Sequence, residues 1–205
     1  MKNIVRLENC NDYSEVENLT REAFWNVYRP GCTEHYILHR YRKLPEFIPQ
    51  LSFLIEDEGK IVAHIMYSKG EIICDNGKII PIIIFGPISV LPGYQGRGYG
   101  SELINYSLNK AKDMGFGAVV ITGDPKYYQR FGFENARSRG IYYSDLPRDE
   151  EMPFLMVKEL KKGYLKEVIG TYKDPSGYLV DNSEVAEFDL KFPIKEKLKL
   201  PGQLI

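Results

Sequence analysis

The stretch of sequence that decides the fold runs from Ile79 to Phe133 and reads IIPIIIFGPISVLPGYQGRGYGSELINYSLNKAKDMGFGAVVITGDPKYYQRFGF. An apolar strand leads through a glycine-rich turn into an amphipathic helix, a second apolar strand and a short aromatic helix. In the turn, Gly96, Gly98 and Gly100 alternate with other residues, so the backbone can approach a bulky ligand without Cβ clashes. The following helix directs its unpaired N–H groups at that ligand. The stretch therefore predicts an anion-binding turn, and a phosphate group fits it.

The spacing of the glycines excludes two common phosphate-binding motifs. A dinucleotide fingerprint counted from Gly96 and Gly98 needs a third glycine where the chain has Ser101. A Walker A loop counted from Gly93 and Gly98 needs Lys-Ser or Lys-Thr next, and the chain continues Tyr-Gly. The pattern that fits is Q/R-x-x-G-x-G/A over residues 95–100.

With this pattern the chain resembles the GNAT superfamily of acyl-CoA N-acetyltransferases, whose pyrophosphate loop carries it. Residues 88–92, ISVLP, before the turn, and Tyr128-x-x-x-Gly132-Phe133 after it, match the family in order and distance. The chain is similar to a bacterial subset with Gly-Asp-Pro-x-Tyr-Tyr-x-x-Phe-Gly-Phe, which begins here at Gly123. In outline the resemblance extends from Ile4 to Val157.

The resemblance implies an α/β (α+β) fold with a central mixed, mostly antiparallel sheet, a splayed central strand pair and flanking helices. It implies a GNAT acetyltransferase domain over residues 1–158. Residues 159–205 are polar and turn-rich with scattered aromatic residues, so we expect a C-terminal extension that packs on the core or a partner. We expect the splay at Gly86-Pro87, because a proline inside a strand removes a ladder donor. The alternative is a plain strand kink that binds no ligand.

The activity implied is transfer of an acetyl group from acetyl-CoA to a primary amine, by direct attack in a ternary complex and without a metal. The open alternatives are a GNAT-fold module that binds acetyl-CoA without catalysis and an unrelated phosphate-ligand protein. The resemblance assigns acetyl-CoA to Ile88, Ser89, Val90, Gln95, Gly96, Arg97, Gly98, Tyr99, Gly100 and Tyr128. Tyr128 matches the family's proton donor to the coenzyme A sulfur, although a shift to Tyr127 stays open. Many members have an Asn where this chain has Ile121.

The acceptor side of the site is expected between the first two helices, which are separated by a break at Pro30-Gly31. The resemblance places Trp25, Tyr28 and Glu34 beside the acetyl group. No general base stands out, and the candidates are Glu71, His64, His35, Glu34 or a chain of ordered water. His35 and His39, at i and i+4, could suggest a metal pair, but Tyr36 stands where the metalloprotease pattern needs Glu.

Composition limits the partners. The chain of 205 residues has a formal net charge of −1, which gives no general electrostatic case for nucleic-acid binding. Its 3 cysteines form no CxxC pair, and its longest apolar run is too short to span a membrane. The start Met1-Lys2-Asn3 leads directly into a strand without a secretory apolar segment. We expect a soluble, cytoplasmic protein that takes a small-molecule or peptide amine, with a homodimer left open.

Overall fold

The computed structural model describes residues 3–204. Three residues lie outside the described part of the chain. They are Met1 and Lys2, from the predicted start Met1-Lys2-Asn3, and Ile205, from the predicted extension. In chain order the strands and helices are β1 (Ile4–Leu7), α1 (Tyr13–Phe24), α2 (Glu34–Tyr41), β2 (Phe53–Asp57), β3 (Lys60–Cys74), β4 (Ile79–Val90), α3 (Tyr99–Asp113), β5 (Ala118–Thr122), α4 (Pro125–Tyr128), β6 (Glu134–Asn135), β7 (Ile141–Tyr143), β8 (Leu155–Glu159), β9 (Gly170–Tyr172) and α5 (Asn182–Asp189).

The described chain divides into two compact units. The first contains residues 3–66, 87–103 and 176–204, and the second contains residues 67–86 and 104–175. The long elements β3, β4 and α3 each contribute residues to both units. Residues 159–175 of the predicted extension belong to the second unit, and residues 176–204 belong to the first.

The first unit is an antiparallel meander of β1, β2 and the start of β3, with α1 and α2 packed by their apolar faces. β1 pairs with β2 from Ile4 opposite Glu56 to Leu7 opposite Phe53. The apolar positions of α1 recur at helical spacing, so one face of this helix joins the core. That core contains Val16, Leu19, Ile37, Leu38, Tyr41, Leu54, Ile61 and Met66.

The second unit carries the parallel pairing of the sheet. β4 runs parallel to β5, with Ile83 opposite Val119 and Ile84 opposite Val120. β5 is antiparallel to β8, which also pairs with β6, while β9 is antiparallel to β3 and parallel to β7. The sheet is thus mixed and mostly antiparallel with flanking helices, as the resemblance implied. The register of β4 with β5 ends at Ile84, before the predicted disruption at Gly86-Pro87.

The sequence predicts a helix start at Asp12, because Asp12 and Glu15 resemble the two ends of a capping box. The helix does start there, with Asp12 at the N-cap position of α1. The carboxylate of Asp12 instead accepts a bidentate pair from Arg6, at 2.7 and 2.9 Å, and the N–H of Asn9 at 2.8 Å. Glu15 accepts the N–H of Ile61 at 3.2 Å. The predicted position was therefore correct and the predicted side-chain bonds were wrong, because the ion pair with Arg6 of β1 takes the carboxylate of Asp12.

Candidate functional site

The glycine turn presents open backbone donors. Gly96 and Gly98 have φ of 74° and 94°, and no heavy atom lies within 4 Å of a Cβ added to either. Within residues 3–204 no acceptor takes the N–H groups of Gly96, Arg97 or Gly98. α3 begins immediately afterwards at Tyr99, so the unpaired N–H groups of its first turn adjoin the same place. The turn can therefore bind an anion through backbone amides.

Two cations flank the turn. The Arg97 guanidinium carbon lies 5.0 Å from the centre of the Tyr94 ring, and the Lys60 ammonium lies 5.4 Å from it. No carboxylate in the described part of the chain lies within ion-pair distance of either cation. Both charges are therefore available to a phosphate, which adds to the attraction of the amides.

Two of the predicted binding side chains contact the protein itself. Tyr99 donates its hydroxyl to Asp57 Oδ2 at 2.6 Å, and this bond raises the pKa of the phenol. Gln95 Nε2 donates to the carbonyl of Val90 at 3.1 Å and so ties the turn to the end of β4. These contacts fix the shape of the turn and leave its backbone donors open.

A buried hydrogen bond to α1 holds the last residues of β4 in place. Ser89 is buried, and its hydroxyl donates to the buried hydroxyl of Thr20 in α1 at 3.0 Å. Because side chains alternate along a strand, Ile88 and Val90 point away from Ser89, and both are half-buried. The side chain of Ser89 is therefore used to position the strand. A ligand could contact this part of β4 only through its backbone or through the side chains of Ile88 and Val90.

The three predicted acceptor residues lie in and next to the α1–α2 loop. The indole N–H of Trp25 donates to the carbonyl of Glu196 at 2.9 Å, and Tyr28 is 47% exposed. Glu34 Oε2 accepts the N–H of Thr33 at 2.8 Å, and burial raises the pKa of its carboxyl. A carboxyl whose pKa is raised in this way is a candidate for proton transfer.

In the second unit Tyr128 closes α4 within an aromatic cluster. Asp124 caps this helix by accepting the N–H of Lys126 at 2.9 Å. The Tyr128 ring centre lies 5.8 Å from that of Phe85 and 6.0 Å from that of Phe133. A Cβ on Gly123 would overlap the Tyr128 ring, so a glycine is required there. The Gly-Asp-Pro start of the motif therefore seats and caps the helix that carries Tyr128.

Tyr127 has a different environment from Tyr128. Its ring makes an edge contact with Tyr128 at 5.0 Å, and the Arg130 guanidinium carbon lies 4.0 Å from its centre.

Sequence reasoning missed Tyr67, which is fully buried, shares a 2.8 Å hydrogen bond with Ser107 and contacts Phe85 at 5.3 Å. Burial raises the pKa of Tyr67. Its signal in the sequence is a tyrosine at the end of the mainly apolar run over residues 61–67.

The four side chains named as general-base candidates differ in their exposure to solvent. His64 is fully buried, and its Nε2 lies 3.1 Å from Ser52 Oγ and 3.4 Å from Glu8 Oε1. His35 is also fully buried, and burial lowers its pKa to about 4. Glu71 is exposed on β3. Both histidines are thus sealed from solvent, whereas Glu34 is half-buried beside the α1–α2 loop.

His35 and His39 face different partners. The two nitrogens of His35 lie 3.3 Å from Cys32 Sγ and 3.3 Å from Asp189 Oδ1. His39 Nδ1 lies 2.9 Å from Glu17 Oε1. Throughout residues 3–204, no group of three or more His, Cys, Asp or Glu side chains is arranged to hold a metal ion. In the same part of the chain, no helix combines the length and apolar character that crossing a bilayer requires.

Comparison with known families identifies the class. Residues 5–136 match the model of the acetyltransferase (GNAT) domain, and the chain belongs to this family. The Escherichia coli K12 protein described as uncharacterized N-acetyltransferase YjhQ is 37% identical over 108 residues, which are 50% of this chain and 56% of YjhQ. The uncharacterized N-acetyltransferase YhbS from the same strain is 27% identical over 133 residues, 65% of this chain and 74% of YhbS.

Two solved structures have the same fold. Escherichia coli YhbS, a GNAT family N-acetyltransferase in complex with CoA, superposes with a TM-score of 0.74 at 22% identity, over 87% of this chain and 92% of the other. A GNAT family acetyltransferase from Brucella melitensis, in complex with acetyl-CoA, gives 0.67 at 23% identity, over 87% and 99%.

Proposed function

We propose that this protein transfers an acetyl group from acetyl-CoA to a primary amine. The observation that carries the proposal is the glycine turn, where the amides of Gly96, Arg97 and Gly98 have no acceptor among residues 3–204 and lie next to the start of α3. Such a turn holds an anion through its amides alone. The Arg97 and Lys60 cations, which have no carboxylate partner within the described residues, add to its affinity. The relatives solved with CoA and acetyl-CoA support the same ligand for this chain.

The pyrophosphate of acetyl-CoA would be held by the amides of residues 95–100. A backbone N–H near Ser89 or Val90 would polarise the thioester carbonyl, since a donor aimed at developing negative charge stabilises the transition state. The hydrogen bond from Ser89 to Thr20 supports this role, because it fixes that segment from the side facing the core.

The reaction needs little more than orientation and two proton transfers. A neutral amine attacks the carbonyl carbon, the C–S bond breaks, the product ammonium loses a proton, and the departing thiolate gains one. We assign the donated proton to Tyr128, which the aromatic cluster and Gly123 hold in place. Glu34, with its raised pKa, is the candidate acceptor of the ammonium proton on the α1–α2 loop. Trp25 and Tyr28 would complete the acceptor wall.

The experiment is thiol release from acetyl-CoA across a panel of amines. Release that depends on an amine, and on an unaltered glycine turn, supports the proposal. Binding of acetyl-CoA without release for any amine would instead indicate a binding module with the same fold. Tyr128→Phe should bind acetyl-CoA like the wild type and release thiol much more slowly, so it tests whether the release depends on the proposed acid.

A further inference from the structure

The end of the chain lies along the α1–α2 loop. We term residues 195–204 the C-terminal strap. Lys195 donates to Glu22 Oε2 at 2.8 Å at one end of the strap, and the N–H of Leu204 donates to the carbonyl of Tyr28 at 2.8 Å at the other. Between them the carbonyl of Glu196 accepts the indole N–H of Trp25. Two of the three proposed acceptor residues are therefore bound to the strap.

Asn26 holds the strap with its side chain and its backbone. Its Nδ2 donates to the carbonyl of Glu196 at 3.0 Å, and its Oδ1 accepts the N–H groups of Leu198, at 3.1 Å, and Gly31, at 2.8 Å. Its own carbonyl accepts Gln203 Nε2 at 2.9 Å. Asn26 has φ of 61°, a left-handed conformation that asparagine tolerates better than most residues. The loop is thus shaped around one asparagine that docks the strap.

The strap starts from a fixed point. Asp189, the last residue of α5, pairs with Arg21 Nε at 2.6 Å, and the Arg21 side chain is 1% exposed. A buried guanidinium is costly without its carboxylate, so this pair holds α5 against α1. The rings of Phe188 and Phe192 lie 5.5 and 5.4 Å from the His35 ring, and they pack beside the pair of Arg21 and Asp189.

We propose that the C-terminal strap is a wall of the amine-acceptor site and selects monoamines over polyamines. The inference rests on the proposed function, and it names the substrate class of that site. The Trp25 ring already carries two cations of the protein, with the Arg21 guanidinium carbon 4.1 Å and the Lys195 ammonium 5.5 Å from its centre. Asp189 and Glu22 pair with these two cations, so a second ammonium on the substrate would find an aromatic face that the protein's own cations already occupy.

The test compares Asn26→Gly with the matched exposed variant Asn109→Ala. Glycine accepts the left-handed backbone of residue 26, so this change removes the side-chain hydrogen bonds without adding strain. Trp25 is the sole tryptophan, and its fluorescence therefore reports directly on the strap. In Asn26→Gly we expect a red-shifted emission and stronger acrylamide quenching, with an unchanged acetyl-CoA melting shift. Asn109→Ala should match the wild type in both measurements.

The selectivity measurement uses glycinamide as the monoamine and spermidine as the polyamine. The wild type should have the higher kcat/KM for glycinamide. In Asn26→Gly the ratio should move toward spermidine by about 2- to 5-fold, the size of an exposed cation–π contact. A wild type that prefers spermidine, a ratio that does not change, or unaltered Trp25 emission in Asn26→Gly would each overturn the role of the strap. A wild type with no acetyl-CoA melting shift would contradict the proposed function itself.

Discussion

The hydroxyl of Tyr99 and the carboxylate of Asp57 join the first residue of α3 to the last residue of β2 by a 2.6 Å hydrogen bond. This bond raises the pKa of the phenol, so Tyr99 stays a donor at neutral pH. Charge-assisted hydrogen bonds of this kind are stronger than neutral ones. The hairpin of β2 and β3 thereby steadies the glycine turn.

Removal of the Tyr99 hydroxyl should weaken acetyl-CoA binding. We expect Tyr99→Phe to raise the Kd by about 3-fold, because an exposed bond contributes only part of the usual value of a charged hydrogen bond. Isothermal titration with acetyl-CoA measures this. Asp57→Ala should have a similar effect, and the double variant should be no worse than either single one. Additive losses would show that the two side chains act independently.

The buried bond from Ser89 to Thr20 should contribute to stability. Ser89→Ala leaves the Thr20 hydroxyl buried without its partner, which costs about 1–3 kcal/mol of the free energy of unfolding. Urea denaturation measures the loss. Ser14→Ala, on the exposed side of α1, is the control and should change the free energy by less than about 0.5 kcal/mol. Equal effects of the two substitutions would argue against the bond.

His35 should make stability depend on pH. Burial lowers its pKa to about 4, whereas the unfolded chain titrates near 6.5. Between these values the unfolded state binds more protons than the native state, so stability falls as the pH is lowered. Glu8, whose burial is outweighed by His64 and Arg42 so that its pKa falls from 4.5 to about 2, contributes a similar loss only below about pH 4.5.

Between pH 6.5 and 4.5 the raised pKa of Glu34 acts in the opposite sense, so the contribution of His35 is taken from the difference in slope between the wild type and His35→Gln. Urea unfolding at several pH values should show a falling free energy in the wild type and a flatter profile in His35→Gln. The comparison uses slopes, so it holds even where the substitution lowers stability at every pH. Equal slopes in the two proteins would show that His35 titrates normally in the native state.

Tyr128→Phe should lower kcat strongly and leave acetyl-CoA binding nearly unchanged. A positioned acid contributes roughly 10²–10⁴ in rate, and the phenyl ring preserves the contacts with Phe85 and Phe133. Tyr127→Phe is the matched control, since it removes a hydroxyl from the neighbouring residue of the same short helix. Steady-state kinetics on both variants gives the answer, and wild-type turnover in Tyr128→Phe would remove this residue from the proton transfer.

The elements with local signals were predicted from the sequence. The local sequence predicts a strand at Ile4–Leu7 and a helix from about Glu34, and β1 and α2 lie there. Asn76-Gly77 predicts a tight turn, and the turn occurs with Gly77 at φ of 81° and its N–H bonded to the carbonyl of Cys74 at 2.9 Å. Each of these features depends on neighbouring residues in the chain, through alternation, capping or a required glycine.

Features that depend on distant contacts were missed. β9 has three residues, Gly170–Tyr172, and is a strand only because β3 and β7 pair with it. α5 is held by the pair of Asp189 with Arg21, 168 positions away in the chain. The strap gave no motif, since the side chains of Trp25 and Asn26 bond to it across at least 170 positions of the chain. The hydrogen bond from Ser89 to Thr20 was not foreseen because it joins residues 69 positions apart.

The most direct test of the account is the melting temperature with and without acetyl-CoA in the wild type, Gly98→Val and Gly77→Val. Gly98 and Gly77 both have positive φ, 94° and 81°, and open space around an added Cβ, so the two substitutions introduce comparable strain. At 100 times the Kd, acetyl-CoA should raise the melting temperature of the wild type by about 5–10 °C. Gly77→Val should keep this shift, and Gly98→Val should lose it. Equal shifts in all three proteins would contradict binding at the glycine turn.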